Sequence, residues 1–359
     1  MSINFSVQSN VHNYEVFIER TPDFIDALCK IPQATFVIDE NVWNIYKKSL
    51  LDKIPPNETI VLPISEERKN LETAQELYDQ LVERAAKRNM TLVSIGGGIL
   101  QDITGFVAST IYRGVNWIFA PTTLLAQADS CIGSKTSLNY KAYKNLIGSF
   151  YPPKNIYIYP AFLATQLTPD FYSGIGEVVK LHLMGGEGDF HNLAQYFPAL
   201  LRRDETALLK AIQQSLKVKL NYMTGDEFDK GKRNLLNYGH DFGHALESAS
   251  KFAVPHGQAV IFGMLAANLI AQRRGLLDEH TARKIAETLL IPSLAVKPTS
   301  EALDADAIIR AMKKDKKRTG ADLALIMLTN GYQFERVNDL TSGEVVQTLQ
   351  TLQSQLSKA

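Results

Sequence analysis

Five short runs rich in β-branched and aromatic residues, Thr35–Asp39, Thr59–Ile64, Thr91–Ile95, Val115–Ala120 and Asn155–Tyr159, recur through the first half of the chain, with helical patterns near 70–89 and 100–111. Strands spaced by helices imply a mostly parallel sheet covered on both faces. From about residue 172 the pattern turns helical almost throughout, over 172–184, 203–223, 237–251, 257–273, 277–289, 303–314 and 341–357, and one apolar run, Leu323–Leu328, interrupts it as a strand. Pro160 and Thr168-Pro169 punctuate the change. The expected fold class is therefore an α/β N-terminal domain over 1–165 and a mainly α-helical domain over 166–359.

At 359 residues the chain has ample apolar content for two full cores. Its 38 basic and 38 acidic residues balance, so no electrostatic footprint points to nucleic acid or an anionic membrane, and any anionic substrate has to be held by local charge. Two cysteines, Cys29 and Cys131, are too few for a disulfide framework; the N-terminus lacks a signal pattern, and no apolar run reaches spanning length. A reduced, cytoplasmic, soluble protein is expected.

The densest polar stretch runs from Arg233 through Asn237 and His240 to His244. His240 and His244 are four residues apart and share one face of a helix, and His256 follows in Pro-His-Gly. Half-buried, hydrogen-bonded histidines are the plain alternative, but three of the seven histidines fall between residues 240 and 256, which favours a metal-dependent enzyme. A zinc-protease helix needs a glutamate directly after its first histidine; here that residue is Asp241. Gly176-Glu177-Val-Val-Lys180 places a carboxylate and an ammonium at i and i+3 on a helix apolar enough to be buried, where charges need partners such as a metal or a charged ligand. Glu177 with His240 and His256 makes a set of two histidines and one glutamate that leaves a coordination position open.

In the first half, Ile95-Gly96-Gly97-Gly98 follows a buried-strand pattern and precedes a helix, the arrangement that admits a dinucleotide pyrophosphate to backbone N–H groups at a helix N-terminus. It does not match the G-x-G-x-x-G fingerprint, and a ligand-free tight turn uses glycines too. Asp39 ends an early strand, placed either to accept from ribose hydroxyls or to cap the helix that starts near Val42. The segments Asp129–Asn139 and Lys144–Gly148 read as a polar, cation-bearing loop region, with Lys135 and Asn145 near turn glycines suited to phosphate oxygens and Lys141 as an ordinary solvated lysine. Arg113, in Tyr-Arg-Gly, is ambiguous by itself, and Asp315–Arg318 reads most simply as an exposed charge run.

Taken together these residues resemble the 3-dehydroquinate synthase family of sugar phosphate cyclases. From about residue 35 to 330, Gly96-Gly97-Gly98, Tyr112-Arg113-Gly114, Pro121–Leu125, Gly133-Ser134-Lys135, Lys144-Asn145, Gly176–Lys180, Asn237–His240, His256-Gly257 and Asp315–Lys317 occur in the family's order. The resemblance implies a Rossmann-like NAD domain, a helical metal domain, an active site between them and a homodimer. It assigns Glu177, His240 and His256 to Zn2+, with Co2+ as an alternative, and His244 to substrate phosphate. It carries Asp39, Glu66, Lys69, Gly97, Gly98, Asp102, Thr122, Thr123, Leu125, Asp129, Lys144 and Phe162 over to the NAD side. Lys135, Asn145, Lys180, Lys219, Arg233, Asn237 and Lys316 become substrate contacts, with Lys317 the rival to Lys316, and Arg113 would reach phosphate in a partner subunit.

The reaction implied is redox-neutral: NAD takes a hydride from a secondary alcohol, phosphate is eliminated, the hydride returns, the ring opens and an intramolecular aldol closes a carbocycle. Arg233 and Lys219 match the positions that hold the carboxylate of 3-deoxy-D-arabino-heptulosonate 7-phosphate, which favours that substrate over sedoheptulose 7-phosphate. Two departures, Ser134 and Gln101 where the family usually has glycine, leave room for a paralogue in cyclitol biosynthesis. The rivals from other classes are a metal-dependent polyol or alcohol dehydrogenase, which has no need of an anion cradle, and a non-catalytic binding protein, which would have lost zinc ligands.

Overall fold

A computed structural model of the chain describes residues 3–141, 143–296, 298–299, 301–313 and 323–356 and contains two compact units, Met1–Gln166 and Leu167–Ala359. The first unit opens with β1 (Ile3–Val7), β2 (Tyr14–Ile18), α1 (Phe24–Leu28), β3 (Ala34–Asp39), α2 (Glu40–Tyr46), β4 (Thr59–Leu62) and α3 (Leu71–Glu83). It continues through β5 (Thr91–Gly96), α4 (Gly98–Thr110), β6 (Asn116–Pro121), β7 (Lys135–Tyr140), β8 (Tyr143–Phe150) and β9 (Asn155–Ile158).

Seven of these strands form one sheet in the order β1-β2-β9-β6-β5-β3-β4, parallel throughout except for the antiparallel β1–β2 hairpin at its edge. The five strands expected from the β-branched runs are five of its six parallel members, β2 being the sixth. Phe36, Val93, Ile95 and Ala120 pack with Phe24, Leu28, Leu51 and Phe162 into a core on one face. The helices begin where capping chemistry allows: Asn70 accepts a hydrogen bond from the Thr73 N–H at 2.9 Å, and α3 then buries Thr73, Ala74, Leu77 and Leu81 along one stripe. Because β3 is followed by β4 on one side and β5 by β6 on the other, the strand order reverses between β3 and β5, and beyond the carboxyl ends of strands at such a reversal is where open α/β sheets bind ligands.

The expectation of a polar loop over 129–148 needs correction. After a π-helical turn over Ala126–Ser130, Lys135–Phe150 forms an antiparallel hairpin with Thr136 paired to Ser149 and Leu138 to Ile147. Its polar residues hid a strand because β7 buries only alternate side chains, Thr136 and Leu138, and β8 buries little.

The second unit comprises α5 (Thr168–Met184), α6 (Glu187–Leu201), α7 (Glu205–Met223), α8 (His240–Ala249), α9 (His256–Arg273), α10 (Glu279–Ile285), α11 (Ala305–Lys313), the antiparallel pair β10 (Leu323–Thr329) and β11 (Gln333–Leu340), and α12 (Ser342–Leu356). In α9 every residue from Gly257 to Asn268 is buried, which marks it as the central helix of the unit. It crosses α5 at a point where both helices carry glycine: a Cβ on Gly176 would come within 2.6 Å of the Gly257 carbonyl carbon. That close approach sets Glu177 beside the first turn of α9. A 3-10 segment, Lys232–Asn237, leads to Gly239, whose φ of 79° starts α8 at His240. Among the described residues no helix is long and apolar enough to cross a membrane.

Candidate active site and metal centre

Three donors from three helices of the second unit converge. Glu177 Oε1 lies 3.2 Å from His256 Nε2 and 3.5 Å from His240 Nε2, and one ligand atom from each residue lies within 4.8 Å of the others. The two imidazole rings meet edge to face at 5.3 Å. His240 Nδ1 faces the Tyr238 carbonyl at 3.2 Å, so its proton resides there and Nε2 is the nitrogen turned to Glu177. Two imidazole nitrogens and a carboxylate oxygen converging at this spacing suit a divalent cation of the zinc or cobalt type.

Glu177 is 1% exposed and forms an ion pair with Lys180, itself 3% exposed, one helical turn on. Lys219 on α7 and Arg233 in the 3-10 segment are likewise buried, at 7% and 3%. Arg233 is fixed from several sides: its N–H donates to Asp226 Oδ2 at 2.9 Å and its guanidinium donates to the Glu227 carbonyl. Asn237 donates to the Asn234 carbonyl at 2.8 Å. So many buried cations within one helical unit suit anionic ligands. Asp241, where a zinc protease would carry its glutamate base, instead accepts from the Ile326 N–H of β10 at 3.2 Å.

Sequence reasoning missed one member of this cluster. Glu247, 3% exposed on the last turn of α8, places Oε2 3.2 Å from His256 Nδ1 and forms a second convergent group with His244 and His256. Its signal was present, a lone carboxylate in the apolar run Ala245-Leu246-Glu247, three residues after His244. Burial by itself would lower the His256 pKa, but the charges of Glu247 and Glu177 prevail and push it up to about 10. The cluster attracts positive charge. His244 packs against both other rings, at 5.2 Å from His240 and 5.9 Å from His256.

In the first unit the glycine run occupies the turn from β5 into α4, with Gly97 as N-cap and Gly98 as first helical residue. Asp39 ends β3 on the other side of the reversal, and a Cβ on Gly96 would sit 3.2 Å from the Asp39 Cβ. Both readings of Asp39 meet in one residue, because its Oδ1 also accepts from the Asn41 N–H at 2.8 Å and so caps α2. Burial raises its carboxyl pKa against those helix N–H groups. Thr122 donates its N–H to Gly96 O at 2.9 Å, Thr123 caps the π-helical turn that carries Asp129, and Leu125 precedes that turn. This reversal, with glycines and helix N–H groups at the end of β5 and a carboxylate at the end of β3, suits a dinucleotide.

Beside it runs a polar network. Lys69 Nζ lies 2.5 Å from Asp102 Oδ2 and 2.6 Å from Asn145 Oδ1, and Lys144 lies 3.5 Å from Glu66. Ser137 and Asn139, neither expected from sequence, tie it together: Ser137 donates to Asp102 and Asn145, and Asn139 donates to Glu66 and accepts from the Asn145 N–H. Asn145 adopts a left-handed φ of 51°. Phe162 gives its side chain to the core, edge-on to Tyr46 and Tyr159. Lys135 and Arg113 are exposed, and Lys316 and Lys317 lie outside the described residues. Of the two departures, Ser134 keeps a φ of 64°, the conformation a glycine there would take most easily, and Gln101 is buried in a reciprocal pair with Ser130 at 2.7 and 2.8 Å.

Models of the 3-dehydroquinate synthase N-terminal and C-terminal regions match residues 59–173 and 174–318. The 3-dehydroquinate synthase of Acidithiobacillus ferrooxidans is 37% identical over 337 residues, which cover 91% of this chain and 90% of that protein. The chain belongs to the 3-dehydroquinate synthase family. A second family member, from Clostridium tetani, is 39% identical over 75% of this chain and 74% of its own length. Among solved structures, 2-epi-5-epi-valiolone synthase from Streptomyces hygroscopicus subsp. jinggangensis, with NAD+ and Zn2+ bound, superposes with a TM-score of 0.86 at 25% identity over 98% of this chain and 99% of that one. Membership of the 3-dehydroquinate synthase family agrees with the α/β sheet unit and helical unit described above.

Proposed function

We propose that this protein is a 3-dehydroquinate synthase, an NAD- and metal-dependent lyase that converts 3-deoxy-D-arabino-heptulosonate 7-phosphate to 3-dehydroquinate and phosphate. The observation that carries this reading is the convergence of Glu177, His240 and His256 within a helical unit that also buries Lys180, Lys219 and Arg233. A polyol dehydrogenase has no use for so many buried cations, whereas a substrate bearing both phosphate and carboxylate does.

When bound, zinc supplies Lewis-acid polarisation of substrate oxygens and NAD a reversible hydride acceptor. Glu177, His240 and His256 would hold the metal; Asp39, Glu66, Lys69, Gly97, Gly98, Asp102, Thr122, Thr123, Leu125, Asp129, Lys144 and Phe162 form the NAD side. Lys180 offsets the Glu177 charge and presents an ammonium at the same place. Arg233, held by Asp226 and Glu227, presents its guanidinium to the substrate carboxylate, with Lys219 as second cation. Asn237 is a substrate contact on the same 3-10 segment. His244, Lys135 and Asn145 serve phosphate oxygens, and His244 can hold a proton at a ring nitrogen while phosphate leaves. Lys316 completes the substrate set. Arg113, exposed at the end of α4, serves a neighbouring copy, which makes the working form a homodimer, and a cytoplasmic location fits a reduced pair of cysteines.

A second reading, a cyclase for another sugar phosphate, draws on the likeness to the valiolone synthase together with Ser134 and Gln101. Incubation with NAD and Zn2+ plus either heptulosonate 7-phosphate or sedoheptulose 7-phosphate, following phosphate release with product mass, decides between them. Dehydroquinate from the first supports the synthase; turnover of the second alone transfers the protein to cyclitol chemistry, and stoichiometric NADH would make it a dehydrogenase.

A further inference from the structure

Each metal-facing imidazole in this centre has to be told which nitrogen to present. In His240 the Tyr238 carbonyl accepts from Nδ1–H at 3.2 Å, leaving Nε2 for Glu177. Among the described residues no carbonyl plays that part for His256; its two ring nitrogens face two carboxylates, Nε2 toward Glu177 Oε1 and Nδ1 toward Glu247 Oε2, each at 3.2 Å. Glu247 is a buried charge that the proposed reaction does not use. Its backbone is committed as well: the Phe252 N–H and Ser250 Oγ both donate to its carbonyl, at 2.8 and 3.2 Å, in a tight turn where Lys251 and Phe252 take left-handed φ values of 51° and 65°. That strained turn returns the chain from α8 to α9 and sets His256 against Glu247.

We propose that Glu247 is a positioning residue of the metal centre: its carboxylate accepts the His256 Nδ1–H and so fixes the tautomer and ring orientation that present Nε2 to the metal. The inference rests on the metal reading of Glu177, His240 and His256. A carboxylate behind a ligating histidine both orients the ring and raises its donor strength, and losing such a partner typically costs about 10- to 100-fold in metal affinity. The competing arrangement makes Glu247 itself a ligand, with His244 and His256, since those donors also converge.

The two arrangements separate in a titration of the metal-stripped full chain with Co2+ and with Zn2+ against a chromophoric chelator, alongside thermal unfolding and the visible Co2+ spectrum. E247A is expected to bind about 10- to 100-fold more weakly with an altered Co2+ spectrum, and E247Q, whose carboxamide oxygen still accepts from Nδ1–H, to recover most of the loss. E177A and H256A should lose more than either. Wild-type affinity in a folded E247A overturns the proposal, and so does retained binding in E177A combined with its abolition in E247A, which makes Glu247 a ligand. Should E247A not fold, E247M decides, because it fills the same space without an acceptor for Nδ1–H: a loss of about 10- to 100-fold supports the positioning role and wild-type affinity overturns it. Wild-type protein that takes up neither metal removes the metal centre itself, a failure distinct from any confined to the Glu247 variants.

Discussion

The Lys69 ammonium lies 2.5 Å from Asp102 Oδ2 in a site that leaves the lysine 8% and the aspartate 18% exposed. Burial raises the Asp102 pKa and the lysine charge opposes that rise, so the carboxylate depends on the ammonium beside it. Among the described residues, replacing Lys69 with Met leaves a largely buried carboxylate with the Ser137 N–H and hydroxyl as its donors, at 3.0 and 3.3 Å. Breaking such a pair costs about 3–5 kcal/mol. Urea unfolding of Lys69→Met should show a loss of that order, partly restored in the double variant with Asp102→Asn; an unchanged midpoint would mean the pair contributes nothing to stability.

The glycine crossing of α5 and α9 makes a different kind of prediction. Gly257→Ala drives a methyl into the Ser173 backbone, which neither helix can move without shifting Glu177 from His256. Overpacking of this kind costs about 1–3 kcal/mol, at the upper end where the obstacle is backbone. Differential scanning calorimetry should show the lower Tm, and zinc content after gel filtration should fall well below one per chain. A variant with full zinc occupancy would show that the crossing does not set the donor spacing.

These two cases mark what the sequence makes legible. Five of the parallel strands could be read because each is a short β-branched or aromatic run, and Glu177, His240 and His256 because ligand-type side chains in apolar surroundings are few, although helical spacing by itself paired His240 with His244. The β7–β8 hairpin could not, since a half-exposed strand carrying Lys135, Ser137 and Asn139 has the composition of a loop. Glu247 was missed for another reason. A carboxylate inside an apolar helix looks like a stray surface residue until the turn at Lys251 and Phe252 folds His256 back on it, and that turn carries no glycine to announce itself. Lys69 and Asn145, 76 residues apart, meet only through tertiary packing.

His182 gives the pH dependence. It is wholly buried, with Nδ1 2.8 Å from the Val178 carbonyl and Nε2 3.1 Å from the Tyr196 hydroxyl, and burial holds its pKa below the ordinary 6.5. The folded state therefore binds this proton less readily than the unfolded chain. The neutral ring's contribution is complete above pH 6.5 and is lost as pH falls toward the depressed folded value. His182→Gln removes one titrating site, so its unfolding free energy should fall less steeply than wild type below pH 6.5, by up to about 1.4 kcal/mol per pH unit. Parallel slopes for the two proteins would show that His182 is protonated in both states alike.

Arg233 tests the substrate assignment most directly. Its guanidinium is 3% exposed and oriented by the Glu227 carbonyl, while its own N–H is fixed by Asp226, so the fork is aimed before any ligand arrives. A lysine at this position keeps the charge and loses the two-pronged geometry, which for a planar carboxylate is not a conservative change. Truncating one partner of a buried charged pair costs about 2–5 kcal/mol, so Arg233→Ala should lower kcat/KM for the heptulosonate phosphate by about 30- to several-thousand-fold. Arg233→Lys should fall between that variant and wild type. The informative comparison is with a substrate that lacks the carboxylate. If Arg233 reads that group, Arg233→Ala loses its preference for the carboxylated sugar while any slow turnover of sedoheptulose 7-phosphate is spared. Equal losses on both substrates would instead make Arg233 a support for the 3-10 segment, and the carboxylate would have to be read elsewhere.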